Sequence, residues 1–254
     1  MNANDYIAVF DSGVGGISVL RQLRRLMPQE RYVYFGDSAN APYGSRPTEQ
    51  VRQLTLAAVE KLFREYPVKA LVVACNTATS AAIEALRAAY PQRIIVGIEP
   101  ALKQAADLCP QGRIGVMATE VTLREAKFDL LARRLAGSCS VIKIPAPGLV
   151  EFIESGRRDS PEAQAFLQDL LSPYVGKLDA LVLGCTHFPF VSRSIRRILG
   201  PGPEIIHGGG GTARETRRRL EAAGLLGAGP GEVLIRNSAQ SEALQALSYA
   251  LLTE

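Results

Sequence analysis

No apolar run in this sequence reaches the roughly 20 residues that a bilayer-spanning helix needs, so no helical membrane span is expected. The opening residues, Met1-Asn2-Ala3-Asn4-Asp5, hold neither a basic n-region nor an apolar h-region. A secretory signal is therefore not expected, and the expected compartment is the cytoplasm. Cysteine is scarce, at four in 254 residues, which does not suggest a disulfide framework there and leaves free thiols. Histidine occurs only twice, at 187 and 207, which leaves little from which to build a closed zinc site. Neither sign of charge dominates, since 29 basic residues face 25 acidic ones for a net +4. Arginines cluster at 21, 24 and 25 and at 214, 217, 218 and 219. With no nucleic-acid-binding motif beside them, solvated helix faces are the favoured reading over a nucleic-acid footprint. Low-complexity linkers are also missing. What remains is the composition of an ordinary soluble globular protein, 47% hydrophobic and 21% charged, long enough for one large domain or two small ones.

Short apolar, β-branched runs alternate with helical patterns along the whole chain. The pattern predicts strands near 6–10, 32–35, 69–74, 93–98, 113–117, 140–144, 178–183, 204–206 and 232–236. Helices are predicted near 15–27, 47–65, 80–90, 100–108, 120–135, 160–175, 190–199, 211–223 and 239–252. This alternation implies an α/β fold with parallel sheets covered by helices on both faces. Such sheets bind ligands beyond the C-terminal ends of their strands.

The sequence also repeats itself at about half its length. Residues 70–75, Ala-Leu-Val-Val-Ala-Cys, match 180–185, Ala-Leu-Val-Leu-Gly-Cys, and 7–12, Ile-Ala-Val-Phe-Asp-Ser, match 114–119, Ile-Gly-Val-Met-Ala-Thr. The offsets of 110 and 107 residues keep the strand order, and two pseudosymmetric lobes with a cleft between them are expected. Parallel strands resemble one another cheaply, but the shared position of Cys75 and Cys185 favours duplication. The chain is expected to cross between lobes near residues 97–100 and again in the Gly200-Pro201-Gly202-Pro203 segment. The lobes expected are 1–98 with 206–254, and 99–205.

Four loops follow predicted strands. Asp11-Ser12-Gly13-Val14-Gly15-Gly16 lacks the spacing of a dinucleotide loop and the Lys-Ser/Thr of a P-loop, and suits a small carboxylate or a plain tight turn. Gly36 to Gly44 ends in Pro42-Tyr43-Gly44, where the tyrosine is placed to close over a ligand. A lone cysteine ending an apolar strand is ordinarily a small buried hydrophobe. Two of them in equivalent places, each before polar donors (Asn76 and Thr77; Thr186 and His187), favour paired thiols. A thiol at a helix N-terminus gains acidity from the helix dipole. Two thiols on matching half-structures suit removal of a proton from one face of a carbon and its return on the other. His187 is placed to assist Cys185, and Asp11 to play the matching part beside Cys75. Cys75, Cys185 and His187 would give a metal at most three good ligands, so no metal is expected. Cys109 and Cys139 fall outside the repeat and read as structural. The Gly208–Gly211 run reads as an exposed, flexible turn rather than an anion loop.

Taken in order, Asp-Ser-Gly-Val-Gly-Gly, Gly-Asp-Ser-x-x-x-Pro-Tyr-Gly, Ala-Cys-Asn-Thr-Ala and Gly-Cys-Thr-His-Phe-Pro closely resemble the glutamate racemases of the aspartate/glutamate racemase superfamily, from about Ile7 to Ala222. The resemblance implies two α/β lobes with the active site between them, no cofactor, no metal, and interconversion of L- and D-glutamate for peptidoglycan. It implies Cys75 as the base for D-glutamate and Cys185 as the base for L-glutamate. Asp11 and His187 would be their assistants, and Glu151 the acid supporting the histidine. Ser12, Pro42, Tyr43, Gly44, Asn76, Thr77, Thr119, Thr122 and Thr186 match the family's substrate contacts, together with Asp11 and His187. The expected assembly is a homodimer, with glutamate as substrate and neither nucleic acid nor membrane as partner. Two stretches depart from the family pattern, Ile144-Pro145-Ala146-Pro147-Gly148 and His207-Gly208. The rival readings are an aspartate or hydantoin racemase, or a one-cysteine decarboxylase, against which the two cysteines speak.

Overall fold

A computed structural model describes residues 1–98, 101–124 and 126–254. Its strands are β1 (Tyr6–Asp11), β2 (Arg31–Gly36), β3 (Val68–Val73), β4 (Ile94–Gly97), β5 (Arg113–Ala118), β6 (Ser140–Pro145), β7 (Ala180–Leu183), β8 (Glu204–His207) and β9 (Glu232–Asn237). The α-helices are α1 (Ile17–Leu26), α2 (Thr48–Glu65), α3 (Asn76–Ala89), α4 (Leu102–Leu108), α5 (Glu120–Arg124), α6 (Ala126–Leu135), α7 (Leu149–Glu154), α8 (Pro161–Leu171), α9 (Ser192–Leu199), α10 (Gly209–Ala222) and α11 (Glu242–Thr253). Among the described residues, no helix is long and apolar enough to cross a membrane.

The chain forms two compact units, Met1–Glu99 with Gly209–Glu254, and Pro100–Gly208. Each is built on one parallel sheet, ordered β4-β3-β1-β2-β9 in the first and β6-β5-β7-β8 in the second. Read from the β8 end, the second order becomes β8-β7-β5-β6. It then matches the first strand for strand, with β9 added at one edge. The sequence repeat is thus a repeat of topology. The return to the first unit comes after β8, because Ala180–Leu183 pair with Glu204–His207 in register and hold that strand in the second sheet. The expected return at 206 falls inside β8. Of the expected crossing at 97–100, residues 99 and 100 lie outside the described residues, as does 125 within the expected 120–135 helix.

In the first unit both faces of the sheet are buried, as the near-continuous apolar strands require. Alternate residues Ala8, Phe10, Val33, Phe35, Leu71 and Val73 pack under α2 and α3. The opposite set, including Ile7, Val9, Tyr32 and Tyr34, is equally buried, and α1, α10 and α11 pack together there. In the second unit the set including Met117, Ile144, Leu181 and Leu183 packs with α7, α8 and α9 residues. The other set, including Ile114, Val116, Ala180 and Val182, packs with residues of α4.

Among the described residues, several elements differ from the sequence expectation. Helix α3 begins at Asn76, directly behind Cys75 rather than near 80. Helix α7 was not expected; six residues flanked by Gly148 and Gly156 give too short a period to register. The 208–211 glycines are not an exposed turn: Gly209 to Gly211 form the first turn of α10, with Gly209 buried.

Candidate active site

Cross-strand hydrogen bonds set the two cysteines in equivalent places. Ala74 N–H donates to Phe10 O at 2.8 Å, and Gly184 N–H donates to Met117 O at 2.8 Å. Ala74 therefore corresponds to Gly184 and Phe10 to Met117. One residue on, Cys75 corresponds to Cys185 and Asp11 to Ala118, and the next pairs are Ser12 with Thr119, Asn76 with Thr186 and Thr77 with His187. A further pair agrees: Asp37 N–H donates to Asp11 O at 2.9 Å, and Ala146 N–H to Ala118 O at 3.1 Å. The backbone is thus duplicated while the polar side chains are not. The aspartate at 11 has only an alanine as its counterpart, and the histidine at 187 only a threonine.

Cys75 is buried at the C-terminal edge of its sheet and is the N-cap of α3. Its Sγ accepts the Ala78 N–H at 3.4 Å and lies 3.5 Å from Ser12 Oγ. A sulfur in the N-cap position faces the positive end of the helix dipole, which favours thiolate. Asp11 is fully buried, and its Oδ1 accepts the Gly13 N–H at 3.0 Å. Gly16 leaves room for it, since a Cβ there would meet Asp11 Cβ at 2.6 Å. The Asn76 amide oxygen is buried without a hydrogen-bond partner among the described residues.

The 37–44 loop is held by Asp37. Its carboxylate accepts the Tyr43 hydroxyl at 2.7 Å and both oxygens accept Asn40 Nδ2 at 3.1 Å. Burial first, and then the hydrogen bond to Asp37, pushes the Tyr43 phenol far above its ordinary value. The tyrosine does not stand ready to close over a ligand. Its ring is 1% exposed and packs near Phe10, which leaves exposed Pro42 and half-buried Gly44 as the accessible members of that motif.

Cys185 is half-buried and sits before a tight turn rather than a full α-helix. Its Sγ lies 3.5 Å from Nδ1 of His187, whose Nε2 lies 2.6 Å from Glu154 Oε1. Burial pulls the histidine's pKa down, but its hydrogen bonds to Cys185 and Glu154 outweigh burial and hold it well above 6.5. A protonated ring then donates from both nitrogens, one toward sulfur and one toward the carboxylate. The expected supporting acid, Glu151, is exposed and takes no part. Three residues further along α7, Glu154 falls on the side that Leu149, Val150 and Ile153 turn toward the core. The i, i+4 pair Leu149 and Ile153 was the signal that could have found this helix.

Thr119 Oγ1 and Thr122 Oγ1 are 3.0 Å apart at the start of α5, and Thr119 Oγ1 accepts the Thr122 N–H at 3.4 Å. Thr77 and Thr186 are buried beside their cysteines. Cys109 and Cys139 lie away from these loops, and burial raises both thiols. No group of three or more His, Cys, Asp or Glu among the described residues is placed to hold a metal ion.

A sequence profile of the Asp/Glu/hydantoin racemase family matches residues 16–216. The chain belongs to that family. A glutamate racemase of Clostridium botulinum is 46% identical over 252 residues, covering 98% of this chain and 97% of that one. The crystal structure of glutamate racemase isoform RacE1 from Bacillus anthracis superposes with a TM-score of 0.88 at 30% identity, covering 100% of this chain and 96% of that one. The Escherichia coli glutamate racemase, solved with L-glutamate and the activator UDP-MurNAc-Ala, gives 0.87 at 30% identity, with 98% and 95% covered.

Proposed function

We propose that this protein interconverts L- and D-glutamate without a cofactor, one cysteine acting as thiolate base while the other, as thiol, returns a proton to the opposite face. The observation that carries this reading is the pair of thiols at equivalent register positions of two like sheets, each with its own hydrogen-bonding partners. Cys75 is assigned to D-glutamate and Cys185 to L-glutamate, with Asp11 assisting the first and His187, held by Glu154, assisting the second. The α-proton of an amino acid is a weak acid, so the site must stabilise the carbanion, and each tenfold in rate asks about 1.4 kcal/mol of it. In each direction one cysteine serves as the thiolate and the other as the thiol.

The buried Asn76 amide oxygen suits a donor such as the substrate ammonium, which would satisfy an otherwise costly orphan. Ser12, Pro42, Gly44, Thr77, Thr119, Thr122 and Thr186 complete the proposed contacts, and Tyr43 contributes by fixing its loop. The product would feed peptidoglycan synthesis in the cytoplasm. The assembly is taken to be a homodimer, which sedimentation velocity checks. Racemisation in D₂O should place deuterium at the α-carbon of the product. Loss of circular-dichroic signal from either enantiomer that persists unchanged after Cys75→Ala would overturn the reading.

A further inference from the structure

Two tyrosines on β2 clamp the two ends of α1. Tyr32 and Tyr34 point to the same side of the sheet and are 1% and 0% exposed. The Tyr32 hydroxyl donates to Met27 O at 2.8 Å, at the C-terminal end of the helix. The Tyr34 hydroxyl donates to Gly13 O at 2.6 Å, in the loop that enters it. The bonds are alike in burial, length and chemistry, but their surroundings differ. The peptide that carries the Gly13 carbonyl follows Gly13, whose own N–H holds Asp11 Oδ1, and Gly13 adjoins Ser12, whose hydroxyl touches Cys75 Sγ. Gly36, two residues after Tyr34, clears the same carbonyl; a Cβ there would lie 2.4 Å from Gly13 O and 2.5 Å from Asn237 Oδ1.

We propose that Tyr34 is a positioning residue for the Cys75 half of the reaction: its buried hydroxyl fixes the Gly13 peptide and thereby the Asp11 carboxylate and Ser12 hydroxyl beside the thiol. This rests on the function proposed above. A misplacement of the order of 1 Å at a reacting group can cost about 100-fold in rate, and a Gly-rich loop has little stiffness of its own to prevent it. Tyr32 does the same mechanical work at the far end of α1 and touches nothing in the site, so it serves as the internal control.

The test compares Tyr34→Phe with Tyr32→Phe. Each keeps the ring and its packing and removes one buried hydroxyl, so both variants should fold and melt at similarly reduced temperatures. Tyr34→Phe should lower kcat about 10- to 100-fold, with KM changed much less, while Tyr32→Phe stays within about twofold of the parent. The equilibrium constant of a racemisation is unity, so kcat/KM cannot become unequal between the enantiomers. The asymmetry must therefore be read from isotope effects. With Tyr34→Phe, the primary effect should rise for 2-deuterated D-glutamate and fall for 2-deuterated L-glutamate. Alkylation of Cys75 by iodoacetamide, followed at that peptide across pH, should shift in Tyr34→Phe and not in Tyr32→Phe. Matching isotope effects and matching alkylation profiles in the two variants would overturn the inference. If the parent protein racemised no glutamate, the proposed function would fall instead, and the alkylation comparison would still decide the role of Tyr34.

Discussion

At the scale of single residues, the two thiols are served differently. Cys75 draws on a helix N-terminus and a serine hydroxyl, Cys185 on a histidine backed by a carboxylate. The raised pKa of His187 has a consequence for stability. Its protonated form contributes fully below the ordinary value of 6.5, and that contribution is lost as pH rises through the higher folded value. Unfolding free energy from urea titrations should therefore decline as pH rises from about 6.5 through the higher folded value and level off above it, and Glu154→Gln should flatten the decline. The same substitution should cut kcat about 10- to 100-fold, whereas Glu151→Gln should leave it within about twofold, because that side chain faces solvent. Cys185→Ala should abolish racemisation of both enantiomers, a loss of at least about 1000-fold or 4 kcal/mol, with an unchanged far-ultraviolet spectrum.

At the scale of elements, helix starts determine what the thiols and carboxylates meet. By sequence pattern α3 begins four residues later than in the structure, since Asn76-Thr77-Ala78-Thr79 reads as a polar loop by propensity. Docking of Ala78, Ala82, Ile83 and Leu86 into the core overrides that preference and brings Cys75 to the N-cap. The sequence pattern does not register α7 for a related reason, because two buried residues are all the periodicity six positions can display. The start of α1 depends on a missing side chain. Gly16→Ala would drive a methyl into Asp11, and should cost about 1–3 kcal/mol of stability together with most of the activity. Thermal melts and initial rates on the same preparation check both parts.

At the scale of the molecule, the first unit is assembled from distant pieces of chain, and one buried ion pair ties them at the sheet end opposite Cys75. Lys69 Nζ donates to Glu30 Oε2, to Ala3 O and to Leu225 O, while Glu30 Oε1 accepts the Gly227 N–H. Lys69 and Glu30 are 0% and 2% exposed. Lys69→Ala strands a buried carboxylate and should cost about 3–5 kcal/mol in urea unfolding. Replacing both partners, as Lys69→Met with Glu30→Leu, should recover only part of this, because the Ala3 and Leu225 carbonyls and the Gly227 N–H stay unpaired.

The sequence by itself determined the strands, their succession along the chain and the duplication. Fully buried parallel strands must be written as continuous apolar runs, and the two cysteine runs could be aligned residue for residue. It also determined the loops in which Asp11, Cys75, Cys185 and His187 stand, since those loops follow the strands directly. Only the tertiary structure decided which acid reaches His187, that Tyr43 is buried rather than poised, that β8 stays with the second sheet, and that Tyr34 reaches the Gly13 carbonyl. Each of these is a contact between elements remote in sequence, or depends on which way a short helix faces. Local pattern carries the period of an element, whereas the partner of a side chain is chosen by packing.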